Sequence, residues 1–188
     1  MTADDNSDLY EVSVRVQLLC DEKPHRSWFL REKTKWDKLW ASLYQIGDTE
    51  LAIGAYEAAK DVEDGSGEAY LITFGLLQAM VVQQDALVEL CAIVDLPYKL
   101  DKALLHIRHV RNGTIGHPVE HSTGGRGTAV SCLVRASLHH GHVTVARDYR
   151  NPDEYKHEDV DLIQLIQKQR HVVREKLLEI EKHLQNTR

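Results

Sequence analysis

The chain has 188 residues, a formal net charge of -6, and 43% hydrophobic and 28% charged residues. This length suits a single domain with a sizeable buried core, and the composition is ordinary for a soluble globular protein. The acidic balance argues against a protein that coats nucleic acid non-specifically, but it is compatible with a small, locally basic site.

The three cysteines, Cys20, Cys91 and Cys132, are far apart and form no CxxC pair. This pattern argues against a disulfide framework or a four-cysteine zinc site, and free thiols are typical of a reducing compartment. Residues 1–8 are predicted to be a flexible tail, and residues 9–188 are predicted to form one domain. The N-terminus is acidic and lacks the basic and apolar regions of a signal peptide. We therefore expect a cytoplasmic protein.

Residues 9–20 are compatible with two structures. Valines alternate along the segment as in a strand, but its apolar residues also fit one face of a helix. Asp8 followed by Glu11 resembles a capping box, which favours the helix. Pro24 is expected to end this element.

Two further helices are predicted before residue 62. Aromatic and leucine side chains recur at helical spacing over residues 27–46, which predicts a helix with an aromatic face in the core. Asp48 and Thr49 can cap another helix over residues 50–61. The sequence EDGSG at residues 63–67 is predicted to be a loop.

Residues 68–95 are the most apolar stretch and predict a central buried helix. Polar and charged residues interrupt this stretch, so it is a poor membrane span. Residues 99–117 predict a further helix with an apolar inner stripe. Gly113 and Gly116 weaken its end, and Pro118 forbids its simple continuation.

The periodicity changes after this helix. A loop is expected over residues 122–128. Apolar and polar residues then alternate on both sides of LHHG, which predicts a β-hairpin over residues 128–149. A turn at residues 151–153 precedes a last helix over residues 158–185. The fold is therefore predicted to be mainly α, a helical bundle with a short β-hairpin inserted before its last helix.

Basic residues are concentrated in one part of the chain. Residues 104–150 contain six arginines and two acidic residues, which gives a local charge of six minus two, or +4. Seven of the eleven histidines also lie there. An anionic ligand would be attracted to this region if the region folds together.

The segment HIRHVRNGTIGHP is the most specific in the chain. Arg111-Asn112 followed by His117-Pro118 resembles the Arg-x(4–6)-His motif of HEPN domains, with a spacer of five residues and a polar residue directly after the arginine. The setting is similar as well, since a long apolar helix and a short loop precede a motif that lies towards the end of a helix.

The resemblance covers roughly residues 68–185 in architecture and implies a HEPN-like bundle. HEPN proteins are commonly metal-independent endoribonucleases, often toxins of toxin–antitoxin pairs, and they usually act as homodimers whose motif residues face one cleft. The implied partners are RNA or nucleotide, a second copy of the chain and an antitoxin protein, without a membrane, a metal or a cofactor. Other HEPN proteins are non-catalytic and bind nucleotide, RNA or a partner, and this alternative stays open.

The residue types of the motif suit RNA cleavage without a metal. A histidine such as His117 suits general acid–base catalysis, which contributes about 10²–10⁴-fold. Arg111 stays charged and presents a fork of donors to a phosphate. Asn112 can hydrogen-bond the substrate or fix the histidine tautomer. The products would be a 2′,3′-cyclic phosphate and a 5′-hydroxyl.

Arg108 and Thr114 are predicted to bind RNA or phosphate. Arg108 lies three residues before Arg111, at a neighbouring position on the same helical face, and Thr114 supplies a hydroxyl. Each predicted residue also has an ordinary structural explanation: a solvated arginine, a packing threonine, a surface ion pair for Arg111, and a helix C-terminal cap for His117.

Helix geometry limits how Arg111 and His117 can meet. Six positions along an ideal helix turn about 600°, which leaves the two side chains about 120° apart. Either the stretch from Gly113 to Gly116 unwinds, or the two partners come from two subunits. Pro118 favours the first solution, because it disfavours α geometry at the residue before it.

The histidines His139, His140 and His142 lie in the predicted hairpin turn, where metal ligands can converge. The chain has no HExxH motif and no Cys/His finger spacing, however. We therefore predict no metal site.

Overall fold

The computed structural model describes residues 8–116, 121–122, 128–148 and 155–186. These residues form six α-helices and an antiparallel sheet whose strands precede the last helix. The mainly α fold with strands inserted before the final helix is therefore confirmed in outline. Most of the predicted tail and the turn at residues 151–153 lie outside the described residues.

The first helix, α1, has a core face at helical spacing, as predicted. Leu9, Val12, Val16 and Cys20 are each at most 3% exposed. Asp8 makes no side-chain cap hydrogen bond, so the expected capping box is not formed. The helices are α1 (Leu9–Asp21), α2 (Lys23–Phe29), α3 (Lys33–Ala58), α4 (Gly67–Ile93), α5 (Lys102–Arg111) and α6 (Leu162–Asn186).

The predicted helix boundaries between residues 27 and 61 are wrong. Pro24 does follow the end of α1 at Asp21, as predicted, and it also lies in the first turn of α2, where its missing N–H is not needed. The next helix, α3, is continuous over 26 residues. Thr49 lies inside α3, where its hydroxyl donates to the Gln45 carbonyl oxygen at 2.5 Å. Threonine can bond back to its own helix in this way, so a residue type that favours caps does not by itself mark a helix start.

The helix α4 is the long apolar helix that the sequence predicts. Among the described helices it is the one whose length and composition would allow it to cross a bilayer, and 56% of its most apolar 18-residue window is buried inside the protein. One such helix is a weak indication of a membrane span, because the core helix of a soluble protein has the same length and composition.

The chain reverses after α4 in a Schellman-type turn. The Leu96 N–H donates to the Cys91 carbonyl oxygen at 2.9 Å, and the Asp95 N–H donates to the Ala92 carbonyl oxygen at 3.3 Å. Asp95 has a φ of +57°, the left-handed conformation that this turn requires and that glycine adopts most easily.

The sheet is larger than the predicted hairpin. Its strands are antiparallel and lie in the order β1 (His121–Ser122), β2 (Thr128–Leu133), β3 (His142–Asp148) and β4 (Tyr155–Asp161). The predicted hairpin corresponds to the pair β2 and β3, which places Cys132 opposite Ala146. A third long strand, β4, pairs along all of β3, so the last helix begins at Leu162 and not near residue 158. The β4 sequence YKHEDVD is too polar to show the alternation that identified the other two strands.

The chain divides into two compact units, and α3, α4 and α6 contribute residues to both. The core of unit 1 brings together apolar side chains from α1, α2, α3, α4 and α6. Unit 2 contains α5 and the sheet, and the sequence-predicted motif begins there. Unit 1 comprises Met1–Leu51, Val82–Asp101 and Lys168–Arg188, and unit 2 comprises Ala52–Val81 and Lys102–Gln167.

Candidate functional site

The C-terminal end of α5 carries the first residue of the predicted motif. The inner stripe of α5, which is Leu104, Ile107 and Val110, is fully buried, and Arg111 follows it as a half-buried last residue. The backbone then continues as a π-helical segment, Asn112–Gly116, here called the π turn. The α geometry predicted to reach residue 117 therefore ends at Arg111. Short π-helical segments are frequent at functional sites.

Thr114 stabilises the π turn from within. Its hydroxyl lies 2.9 Å from the carbonyl oxygen of Val110 and 3.1 Å from that of Arg111, and the residue is only 5% exposed. The hydroxyl proton is therefore used by the backbone. The visible role of Thr114 is local, and phosphate binding by this residue stays a prediction.

Gly113 is in close contact with the sheet. Ser131 of β2 donates its hydroxyl to the Gly113 carbonyl oxygen at 2.5 Å. A Cβ added to Gly113 would lie 2.5 Å from Arg147 Nη1 and 3.0 Å from Ser131 Oγ. A side chain at this position would therefore have to displace the guanidinium and the hydroxyl that pack directly on the backbone.

Arg147 of β3 is the largest of the fully buried side chains among the described residues, at 1% exposure. A buried guanidinium needs a charged partner, and Arg147 Nε donates to Glu158 Oε2 of β4 at 2.9 Å, while Nη2 lies 2.8 Å from the same oxygen. Ser131 and Arg147 are opposite each other across β2 and β3, so both side chains reach Gly113 from one face of the sheet. One role of the sheet, which the sequence left open, is thus to hold the π turn.

Glu158 also faces α5. Its Oε1 lies 3.8 Å from His106 Nε2, which makes an ion pair whenever the imidazole is protonated. The two side chains are 30% and 46% exposed, respectively, so water weakens this attraction. Glu158 therefore links β4 to β3 strongly and to α5 weakly.

The Arg111 guanidinium has an unused donor. Its Nε is buried and has no hydrogen-bond partner among the described residues. A buried polar group left unpaired costs about 1–3 kcal/mol. Because this N–H is enclosed, the side chain has to rearrange before an oxyanion of a bound ligand can accept it in a charge-assisted hydrogen bond.

The structure brings Arg108, Arg111, Asn112 and Thr114 into one continuous segment, in which Arg108 and Asn112 are half-buried. His117 and Pro118 lie outside the described residues. The predicted convergence of Arg111 with the His117 imidazole therefore stays a prediction.

The positive charge available to a ligand is lower than the sequence count implies. Arg147 is neutralised by Glu158, which lies outside the window of residues 104–150. Arg135 is also engaged, because its Nε donates to the Gly65 carbonyl oxygen at 3.0 Å. At least two of the six arginines therefore have structural partners.

The histidines near the start of β3 pack on their neighbours. The His140 ring stacks on Tyr56 of α3 with centroids 5.2 Å apart, and its Nε2 lies 3.1 Å from the Tyr56 carbonyl oxygen. The His142 ring stacks on His139, and His142 Nε2 lies 3.8 Å from Asp159 Oδ1. Within the described ranges, no three His, Cys, Asp or Glu side chains are grouped so that they could hold a metal ion.

Sequence reasoning missed Ser131, Arg147 and Glu158 as residues that shape the site. The sequence did contain one signal for Arg147. It follows Val143 and Val145 at intervals of two residues, and a strand puts these three side chains on one face. An arginine on a valine face predicts a buried charge that needs an acidic partner. Glu158 could not be identified as that partner, because β4 was not predicted.

No protein-family model, no curated protein and no solved structure matches this chain. The functional proposal therefore depends on the motif residues and on the geometry around them.

Proposed function

We propose that the chain is a HEPN-like, metal-independent endoribonuclease that acts through Arg111 and His117. The observation that carries this proposal is the π turn, which begins directly after Arg111. An ideal helix would keep side chains six positions apart on different faces. A departure from α geometry between the two residues is what convergence within one chain requires.

The state of the Arg111 side chain supports a role in anion binding. Its Nε is buried without a partner among the described residues, and a phosphoryl oxygen is the acceptor that a guanidinium binds best. Arg108 adds a second guanidinium one turn earlier on α5. Asn112 adds an amide directly after Arg111.

The support of the π turn favours a site that needs fixed geometry. Ser131 and Arg147 hold Gly113 from the sheet, and the Thr114 hydroxyl holds the turn to α5. Side chains that react with a substrate must be positioned within fractions of an ångström, and contacts of this kind provide that positioning.

In the proposed reaction the ribose 2′-oxygen attacks the adjacent phosphorus while the bond to the 5′-oxygen of the next nucleotide breaks. His117 removes the 2′-hydroxyl proton or protonates the leaving 5′-oxygen. Arg111 stabilises the negative charge that develops on the phosphoryl oxygens. The remaining proton transfer falls to water or to the same histidine of a second subunit, which agrees with the homodimer that the HEPN resemblance implies.

The test uses RNA incubated with purified protein in EDTA, followed by detection of 2′,3′-cyclic phosphate ends. We expect the wild type to cut, and Arg111→Ala and His117→Ala to cut at least about 10²-fold more slowly. Arg31→Ala and His171→Ala are matched controls, because both residues are exposed and lie outside the motif. Cleavage by the two motif variants at the wild-type rate would refute the proposal.

The alternative is a non-catalytic HEPN-like protein that binds nucleotide, RNA or a partner. It predicts that wild type and variants are equally inert, while Arg111→Ala still weakens RNA binding. A cytoplasmic toxin, in contrast, predicts growth arrest on expression that both motif substitutions relieve and that an antitoxin protein suppresses. Normal growth with soluble, RNA-cutting protein would refute the toxin role and leave the nuclease proposal intact.

A further inference from the structure

Unit 1 contains a cavity that is separate from the motif segment. It has a volume of about 370 Å³, within the usual range for small-molecule sites. Three apolar residues, Trp28, Val94 and Leu184, line it. They come from α2, from the turn after α4 and from the end of α6. An apolar group of a ligand would leave water by entering this cavity, and that burial favours binding.

Asp95 brings a carboxylate to this cavity, in a turn where glycine is the usual residue. Its φ of +57° is the left-handed conformation that glycine adopts most easily and that aspartate tolerates. Asp95 lines the cavity and is exposed. Its side chain makes no hydrogen bond or ion pair among the described residues. The carboxylate is therefore accessible to a cation.

The neighbouring ionisable groups decide how much of this negative charge a ligand meets. His183 lines the same cavity and is half-buried, so its imidazole would oppose a cationic ligand when protonated. His25 also lines the cavity, but its Nε2 is enclosed and offers a ligand no hydrogen bond. Above the pH range in which histidine is charged, the carboxylate is the ionised group among the described residues that line the cavity.

Trp28 gives the cavity an aromatic wall. The indole packs on the fully buried Phe29, with ring centroids 4.7 Å apart, yet the Trp28 residue is 39% exposed. Indole attracts other rings in tilted or offset arrangements, and it also attracts cations. Lys35 Nζ already lies 5.4 Å from the Trp28 ring centroid, and Glu32 Oε1 is 3.8 Å from that ammonium, which partly compensates its charge.

We propose that this cavity binds a small aromatic molecule that carries an ammonium group, with its ring against Trp28 and its ammonium beside the Asp95 carboxylate. Burial of the ring supplies most of the affinity. The carboxylate selects a cation over a neutral molecule of the same shape and disfavours an anion. This binding does not depend on the proposed nuclease activity.

The test compares phenethylamine with 2-phenylethanol, which have the same shape but differ in charge. Both are titrated against the full chain by ligand-observed NMR at low salt and about pH 8, where an unperturbed histidine is neutral. We expect the amine to bind about 2–5-fold more tightly, the ratio that an exposed ion pair gives. Added salt at about 0.5 M should reduce this ratio, because it screens exposed charges.

Three variants separate the charge contact from the ring contact. Asp95→Asn keeps a residue type that tolerates the left-handed conformation and removes only the charge, so we expect it to bind both ligands equally. Asp48→Asn, at an exposed position of α3 that does not line the cavity, should keep the wild-type preference. Trp28→Ala should weaken the binding of both ligands by a similar factor, because both use the ring.

Three results would overturn the inference. The first is no binding of either ligand to the wild type at millimolar concentration, and the second is binding of the amine no tighter than that of the alcohol. The third is an unchanged preference in Asp95→Asn, which would assign the preference to the general attraction of cations by a chain of net charge -6. The first two results are read on the wild type, so the inference remains testable if a variant does not fold.

Discussion

Polar side chains are buried in two regions of the molecule, and the kind of hydrogen-bond partner differs between the two regions. Beside the π turn, the buried Arg147 guanidinium is paired with the Glu158 carboxylate. In unit 1, three glutamines with 0% exposure form a layer of neutral amides between α4 and α6. Gln84 donates to Gln169, and Gln169 donates to Gln83, each at 2.8 Å.

The glutamine layer also reaches α3. Gln83 Nε2 lies 3.4 Å from both the Ile46 carbonyl oxygen and Glu50 Oε2. Glu50 in turn accepts a hydrogen bond from Arg170 Nε at 2.6 Å. Three helices are therefore joined by directional bonds in the interior of unit 1.

The difference shows what each kind of buried pair does. An ion pair concentrates a large cost at one contact, because removal of one partner leaves a buried charge. A chain of amides spreads a smaller cost over several bonds and permits only one alignment of its helices. The first arrangement fixes a turn, and the second fixes helix register.

The largest expected loss of stability follows removal of the ion pair between Arg147 and Glu158. Glu158→Gln removes the carboxylate that lies 2.8 Å from Arg147 Nη2 and should lower the free energy of unfolding by about 2–3 kcal/mol, less than for a fully buried pair because the Glu158 side chain is 30% exposed. Urea denaturation measures this loss. Glu175→Gln removes an ion-pair partner of Arg174 at a side chain that is 54% exposed, and should cost under about 0.5 kcal/mol. Equal losses for the two variants would contradict a special role for the Arg147 pair.

Disrupting the glutamine layer should lower the free energy of unfolding by a somewhat smaller amount. Gln169→Leu removes one hydrogen-bond partner from each of Gln83 and Gln84, and we expect the free energy of unfolding to fall by about 2 kcal/mol. Replacing all three glutamines with leucine should restore part of this loss, because no amide is then left unpaired. A triple variant less stable than the single one would show that the layer contributes more than hydrogen-bond satisfaction.

Replacing glycine with alanine should change the stability of the protein in opposite directions at two positions. Gly113→Ala places a Cβ against Arg147 and Ser131 and should destabilise the protein by about 1–3 kcal/mol. Gly75→Ala, at an exposed position of α4 with nothing within 4 Å of the added Cβ, should stabilise it by about 0.5–1 kcal/mol. Thermal denaturation of the two alanine variants measures both changes in stability. Destabilisation by Gly75→Ala equal to that by Gly113→Ala would refute the crowding argument.

The smallest expected effect is a pH dependence of the glutamine layer. Burial raises the pKa of Glu50 above its ordinary value of 4.5, although Arg170 opposes the shift. A raised folded-state pKa means that the native state holds the proton more tightly, so this contribution to stability is complete below pH 4.5 and is lost as the pH rises through the folded-state pKa.

The comparison with Glu50→Gln isolates this effect. The free energy of unfolding of the wild type should fall relative to that of the variant as the pH rises from about 4 towards neutrality. Glu63→Gln, at an exposed position, is the control for the loss of one carboxylate. A difference between wild type and Glu50→Gln that rises with pH would mean that Arg170 outweighs burial.

Much of the helical fold was predictable because apolar spacing is a local signal. The inner stripe of α5 and the apolar run of α4 both appear in the structure, as does the hairpin formed by β2 and β3. The boundary at Thr49 was mispredicted because the same residue type caps helices and bonds back within them. The strand β4 was missed because its pattern is polar, and its pairing with β3 is non-local.

The candidate site also has features that the sequence predicts and features that it does not. The glycines of the motif predict a break in α5, and the structure has one directly after Arg111. The contacts that hold this break come from Ser131 and Arg147, which are 18 and 34 positions beyond Gly113 in the chain. No local pattern could assign them.

The sequence by itself determined which stretches are mainly helical and where α5 weakens, but not every helix boundary, because helix propensity and apolar period act over a few neighbouring residues. The tertiary structure alone decided which buried polar atoms are paired. Arg147 obtains a carboxylate from a strand 11 residues away, and His25 Nε2 obtains no partner among the described residues. Pairing depends on which side chains the fold brings within about 3 Å, and that distance is a property of the packed chain.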